Sequence, residues 1–167
     1  MRDTLKLAAL CGLAIFGLGG LSGCGFAPLY AQQGLTLNLS QVAVEVPQTR
    51  TGYFLEQDLR NGLGNDAGSD KIYNLKVDIK ENHYAIGFKV DDTSTRSEIT
   101  NSVNYTLTDI SNGQILDQGQ FTDTVTYDSS KSPFTGVISQ QDAQKRAATS
   151  ISQKIQTQLA LYFHNKP

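Results

Sequence analysis

In several stretches between Tyr73 and Tyr127 apolar side chains recur at every second position, with polar ones between them. Tyr73, Leu75, Val77 and Ile79 alternate with Asn74, Lys76, Asp78 and Lys80. Ile99, Val103, Tyr105 and Leu107 oppose Thr100, Ser102, Asn104, Thr106 and Thr108, and Phe121, Val125 and Tyr127 oppose Thr122, Thr124 and Thr126. A period of two is a strand with one face buried and one wet. Such a sheet must be covered on one side and can stay bare on the other. Asn112-Gly113 marks a tight hairpin between the last two strands. A polar turn is expected around Glu81-Asn82, with a further strand through Tyr84, Ile86, Phe88 and Val90, and another turn at Asp91 to Arg96.

The cover comes from two segments of helical period. Leu55, Leu59 and Leu63 step by four after Thr51, a candidate N-cap, and Gly62 and Gly64 close the segment. Ala143, Ala147, Ile151, Ile155, Leu159 and Tyr162 form a second stripe, giving a helix from about Gln140 to Phe163 with Ser139 as its cap and Ser129–Gly136 as a loop before it. Upstream, Leu35, Leu37 and Leu39 alternate, then Val42, Val44 and Val46 alternate in the opposite phase up to Pro47, and the slip near Ser40-Gln41 reads as a bulge or as a short edge segment before the main strand. The expected architecture is α+β: a two-layer sandwich with two helices packed on one face of a mostly antiparallel four-stranded sheet. It occupies residues 35–167 as a single domain, with no internal repeat.

The first residues have another purpose. Arg2 and Lys6 precede an uncharged run from Leu7 to Leu21, too short for a membrane-crossing helix and of the length of an export signal. The run ends in Leu21-Ser22-Gly23-Cys24, which resembles a bacterial lipobox. Residues 1–23 are then a lipoprotein signal peptide. Cys24 becomes the acylated first residue of the mature chain, and residues 24–34 a tether. Stable anchoring requires two membrane signals, and a multiply acylated cysteine supplies them. Gly25, where enterobacterial sorting would place an inner-membrane Asp, points to the outer membrane. Cys11 leaves with the signal, so the 144-residue mature chain has neither disulfide nor free thiol, and its 12 basic and 15 acidic side chains sum to −3.

That balance argues against a nucleic-acid binder. An enzyme finds little support either. His83 and His164 are the only histidines and fall in a turn and at the C-terminus, and no nucleophile–base spacing or Gly-rich phosphate cradle appears. No metal site is expected, since Asp91-Asp92 reads as a solvated turn, and no cofactor beyond the covalent lipid on Cys24. Arg50, Arg60, Lys145 and Arg146 read as helix-surface charges, and Lys76 and Lys80 as edge lysines. The outward sheet face is rich in Thr, Ser and Asn, a composition suited to a hydrogen-bonding contact such as the polar lumen of a β-barrel.

Cys24-Gly25-Phe26-Ala27-Pro28-Leu29-Tyr30 resembles the mature start of lipopolysaccharide (LPS)-assembly lipoproteins of the LptE type, especially their alphaproteobacterial branch. The Val-rich strand ending at Pro47, Phe54-Leu55 with Leu59, Ser102 to Leu107, and the helix ending Leu161-Tyr162-Phe163 are similar in order. The resemblance implies a periplasm-facing outer-membrane lipoprotein that plugs the LPS-translocon β-barrel one to one, aids its assembly and contacts LPS without catalysis. It also implies basic LPS contacts near strand turns, for which Lys89, Arg96 and Lys131 are the candidates. An auxiliary lipoprotein of another, ABC-type, lipid transporter stays open as an alternative.

Overall fold

A computed structural model of the chain describes residues 35–64, 70–88, 94–129 and 132–165. In chain order the elements are α1 (Leu35–Ser40), β1 (Val42–Glu45), α2 (Arg50–Gly62), β2 (Tyr73–Phe88), β3 (Ser94–Asp109), β4 (Ile115–Asp128) and α3 (Pro133–Asn165). The four strands lie in the order β1-β2-β3-β4. β1 is parallel to β2, and the other two pairings are antiparallel. The expected α+β sandwich with a mostly antiparallel four-stranded sheet is present.

Its core is the set of side chains that the two periods selected. Leu75 and Val77 of β2 and Ile99, Val103 and Leu107 of β3 are fully buried. Against them lie Leu55 and Leu59 of α2, Leu63 at its C-cap, and Ala143, Ala147, Ile151, Ile155 and Leu159 of α3. Burying side chains of this size contributes about 1.5–3 kcal/mol each, so this seam dominates the stability. Tyr162 stays at the margin, and Phe163 beside it is buried and stacks on Tyr73 at 5.1 Å.

Four local expectations are corrected. Leu35–Ser40 is a helical turn and a half rather than a strand. Leu39 is buried while Leu37 is 62% exposed, so the alternation of leucines did not encode a two-faced strand. Glu81-Asn82 is not a turn, because β2 runs unbroken for 16 residues against β3. Its apolar phase does slip there, which leaves Tyr84 and Ile86 exposed beyond the core. The N-cap of α2 is Thr49, whose hydroxyl accepts from Gly52 N–H at 3.0 Å; Thr51, the expected cap, is buried and donates to Glu81. Finally, α3 starts at Pro133 and spans 33 residues, about 50 Å. Proline is favoured in the first helical turn, where its missing N–H has no partner to lose, so the expected loop is helix from Pro133 onward.

On the covered face one row is polar. Glu81, Asn101 and Asp123 are opposite one another on β2, β3 and β4, in the phase that otherwise carries Val103 and Leu107. Burial pushes the Glu81 carboxyl up, but hydrogen bonds from Thr51, Gln144 and His83 outweigh it and hold it below its ordinary value. Asp123 accepts from Ser150 Oγ at 2.6 Å and Lys154 Nζ at 2.7 Å. The row thus fixes both long helices on the sheet at set positions.

Further along, Tyr105 pairs with Gly119 on β4, where a side chain would collide with its ring. Its hydroxyl donates to Asp117 at 3.2 Å. Burial first, and then the Asp117 charge and hydrogen bond, push the phenol up to about 12. A phenol raised on folding adds stability that is complete below about pH 10 and is lost as pH climbs towards 12. In an ultraviolet titration one of the seven tyrosines is expected to ionise near 12, and Asp117→Asn to move it back towards 10. A single transition with all tyrosines near 10 in the folded protein contradicts this placement.

Candidate functional site

The helices cover one face only, so the even-numbered side chains of β3 and β4 are bare. Asn104, Thr122, Thr124 and Thr126 are exposed, with Thr100, Ser102, Thr106 and Thr108 half-buried between strands. On β2 the same face shows Lys76, Asp78 and Lys80. The face is flat, polar and close to neutral in charge. Hydroxyls and amides at strand spacing can donate and accept along a facing wall without ordering counter-charges.

At the end of the sheet beyond the polar row, strand ends and the first turns of α3 enclose a cleft of about 420 Å³. Arg96, Thr126, Tyr127 and Asp128 come from the strands, and Ile138, Ser139, Asp142 and Arg146 from the helix. Arg96 sits opposite Gly87 on β2 and Asp128 on β4, where β2 bulges around Ile86. The bulge re-aims the strand ends, as bulges at sheet margins do. Arg96 Nε is 3.8 Å from Asp128 Oδ1, and both side chains are largely exposed. Such a pair is worth little, so an incoming anionic oxygen can displace the carboxylate at small cost. Arg146 is held more firmly, by Asp142 at 2.9 Å and by a hydrogen bond of 3.2 Å to Thr126 O.

Of the candidate contacts read from the sequence, Arg96 therefore stands in the cleft. Lys89 and Lys131 lie outside the described residues, as do Cys24 and Asp91-Asp92. In the chain, Lys89 directly follows β2 and Lys131 comes between β4 and α3, both of which end or begin at this side of the sheet. Arg146, which the sequence reads as a plain helix-surface charge, also lines the cleft. On its own helix it is an ordinary exposed arginine, and only packing brings it to the ends of β3 and β4. The polar row escaped the sequence reading, although Asn101 interrupts the apolar phase between Ile99 and Val103 and was a legible sign.

Chemically the cleft offers guanidinium groups and carboxylates, with no thiol, histidine or nucleophile–base pair among its lining residues. Among the described residues no group of three or more His, Cys, Asp or Glu is placed to hold a metal ion. Nor is any described helix long and apolar enough to cross a membrane. The arrangement is that of a small α+β sandwich with a bare polar sheet and an arginine-bearing end, suited to recognition.

The comparisons agree with that class. The family model described as LptE, lipopolysaccharide-assembly, matches residues 39–159. A protein of Caulobacter crescentus CB15 classed as a lipoprotein is 34% identical, covers 81% of this chain and 99% of its own, and superposes with a TM-score of 0.69. The minor lipoprotein from Acinetobacter baumannii (15% identity, 72% of this chain and 90% of its own, TM-score 0.55) shares the fold. So does the rare lipoprotein B from Shewanella oneidensis (11%, 74% and 96%, TM-score 0.56). No curated sequence matches the chain. The chain belongs to the LptE family of lipopolysaccharide-assembly lipoproteins.

Proposed function

We propose that this protein is the lipid-anchored partner of the LPS-translocon β-barrel in the outer membrane. Signal residues 1–23 are removed and Cys24 takes up diacylglycerol and a further acyl chain, such as palmitate. The short segment to Leu35 then keeps the domain at the periplasmic side of the membrane. One copy enters one barrel, and the bare Thr/Ser/Asn face lines up with the polar lumen. Arg96, together with Lys89 and Lys131, meets the phosphates of LPS through charge-assisted hydrogen bonds. The role is scaffolding and recognition, without bond chemistry, cofactor or metal.

The observation that carries this reading is the family match over 39–159 combined with a sheet face that no helix covers. A photo-crosslinker at Thr122 is expected to give a one-to-one adduct with a large outer-membrane barrel, whereas one at Gln153 on the exposed side of α3 gives less. Depletion is expected to lower surface LPS and the amount of assembled barrel. Normal surface LPS after depletion, or crosslinks from Gln153 alone, contradicts the proposal.

A further inference from the structure

Four polar side-chain atoms on the covered face are buried and have no hydrogen-bond partner among the described residues: Asn101 Nδ2, Asn101 Oδ1, Asp123 Oδ2 and Gln144 Oε1. Asn101 is 0% exposed, Asp123 5% and Gln144 7%. Buried polar atoms are paired as a rule, because leaving water without a new partner is costly. All four atoms belong to the polar row. Asn101 stands at its centre, opposite Glu81 on one side and Asp123 on the other. Gln144 is tied to the Glu81 side, where its Nε2 donates to Glu81 Oε1 at 2.8 Å. On the other side Ser150 and Lys154 both donate to Asp123 Oδ1, which leaves Oδ2 over. The buried α3 residues between Gln144 and Ser150 are Ala147 and Ala148, so between these anchors the helix buries nothing larger than a methyl group.

Hydrogen supply decides what completes the row. Asn101 offers one amide nitrogen and one oxygen, whichever way the group is turned, whereas a carboxylate accepts only, and so does Gln144 Oε1. Held between Glu81 and Asp123, the amide can turn its N–H groups towards one of them, and its oxygen then looks at acceptors on the other side. Facing acceptors are reconciled by a donor placed between them. We infer that two buried water molecules complete the row, one between Asn101 and Asp123 Oδ2 and one between Asn101 and Gln144 Oε1. The first accepts from Asn101 Nδ2 and donates to the carboxylate. The second donates one hydrogen to Asn101 Oδ1 and the other to Gln144 Oε1. Each thereby has the two polar partners that a buried water requires. A metal ion does not meet the same demand, since it would stand against the Nδ2 donor, and Asp123 is already paired with Lys154 at 2.7 Å. With both waters in place, one hydrogen-bonded line crosses the sandwich from His83 through Glu81, Gln144, Asn101 and Asp123 to Lys154, and both of its end groups reach solvent. Apolar contacts permit sliding of a helix on a sheet, and a fully satisfied polar line does not. These waters belong to the domain's interior, independent of its lipid anchor and of any barrel.

Oxygen-17 relaxation dispersion counts the waters that stay inside a protein for longer than it takes to tumble. It is applied to the full acylated lipoprotein in detergent micelles, as wild type and as Asn101→Leu. Leucine keeps the branched shape of asparagine and offers neither donor nor acceptor. Wild type is expected to hold about two more long-lived waters than Asn101→Leu, while any other buried water cancels in the difference. Equal amplitudes in the two proteins overturn the proposal. Should Asn101→Leu fold poorly, a high-resolution crystal structure of the wild-type lipoprotein decides instead. Two waters within hydrogen-bond distance of the Asn101 amide support the proposal. An amide bonded directly to Asp123, or a peak ringed by oxygens at about 2.4 Å as a hard cation would be, overturns it.

Discussion

Leu59→Ala is expected to lower the unfolding free energy by about 3 kcal/mol, within the range of about 2–5 kcal/mol for emptying a buried leucine site. Leu59 is fully buried on α2 and belongs to the seam of Leu55, Leu59 and Leu63 facing the sheet and α3. Truncation removes its transfer free energy and leaves a cavity, and the surroundings are poorly placed to collapse into it. On the α3 side the helix spacing is fixed by polar contacts: Thr149 Oγ1 donates to Asp58 Oδ2 at 2.7 Å and Gln156 Nε2 donates to Asp58 O at 3.3 Å. Below, strands are held by their ladders. For a domain of this size the loss equals roughly 10 °C in Tm and a large fraction of a typical total stability. Leu161→Ala, at a 41% exposed site, is the control and is expected to stay within about 0.5 kcal/mol. Urea denaturation of the two variants decides the point. Equal midpoints would place the core elsewhere.

The same seam explains which parts of the fold the sequence encodes openly. Leucines four apart on α2, and the Ile99 to Leu107 alternation on β3, carry strong periods because each segment buries one face along its whole length. The Asn112-Gly113 turn is equally open: Gly113 has φ +70, and Asn112 Oδ1 accepts from Gln114 N–H, which is turn chemistry local to four residues. Periodicity fails where burial is partial. Leu35 to Leu39 is too short to separate a strand from a helix, and it is Leu39 that turns into the core. Beyond Glu81 the covered-face positions His83 and Ala85 are exposed, so the apolar residues there obey no core phase, and a continuous strand read as two.

Site residues divide in the same way. Arg96 enters as a candidate only through the family resemblance, since a basic residue beside a strand turn reads by itself as a solvated charge. Its cleft partner Arg146 does not enter at all, since the two are 50 positions apart and meet only because α3 begins at Pro133 and runs back over the β4 edge. Glu81, Asn101 and Asp123 come from three strands, and the row exists only once the registers of β2, β3 and β4 are known.

Gly52→Ala is the substitution for which local propensity and packing disagree most. Glycine inside a helix is worse than alanine by about 0.5–1 kcal/mol, so propensity alone forecasts stabilisation. Gly52, however, is buried in the first turn of α2 under the preceding loop. A Cβ there would lie 1.9 Å from Pro47 O, 3.1 Å from Pro47 C and 3.2 Å from Thr49 Oγ1. The carbonyl cannot step aside freely, because it accepts from Thr49 N–H at 2.8 Å, and Thr49 in turn caps the helix through its hydroxyl to Gly52 N–H. Moving Pro47 disturbs the cap, and moving the helix pulls Thr51 from Glu81 and the polar row. Overpacking of this kind costs about 1–3 kcal/mol and a lost cap about 1 kcal/mol more, together larger than the propensity gain. Gly52→Ala is therefore expected to destabilise by about 2–3 kcal/mol in urea denaturation. Gly62→Ala provides the contrast at the other end of the same helix. Its Cβ would meet the flexible tip of the Gln156 side chain rather than backbone, and turning that amide away gives up its bonds to Asp58 O and Ser152 Oγ, so its effect is expected to be about 1 kcal/mol. A Gly52→Ala protein as stable as wild type would mean that the Pro47 loop yields, and that the entry into α2 is not the rigid corner which aligns Thr51 with the sheet.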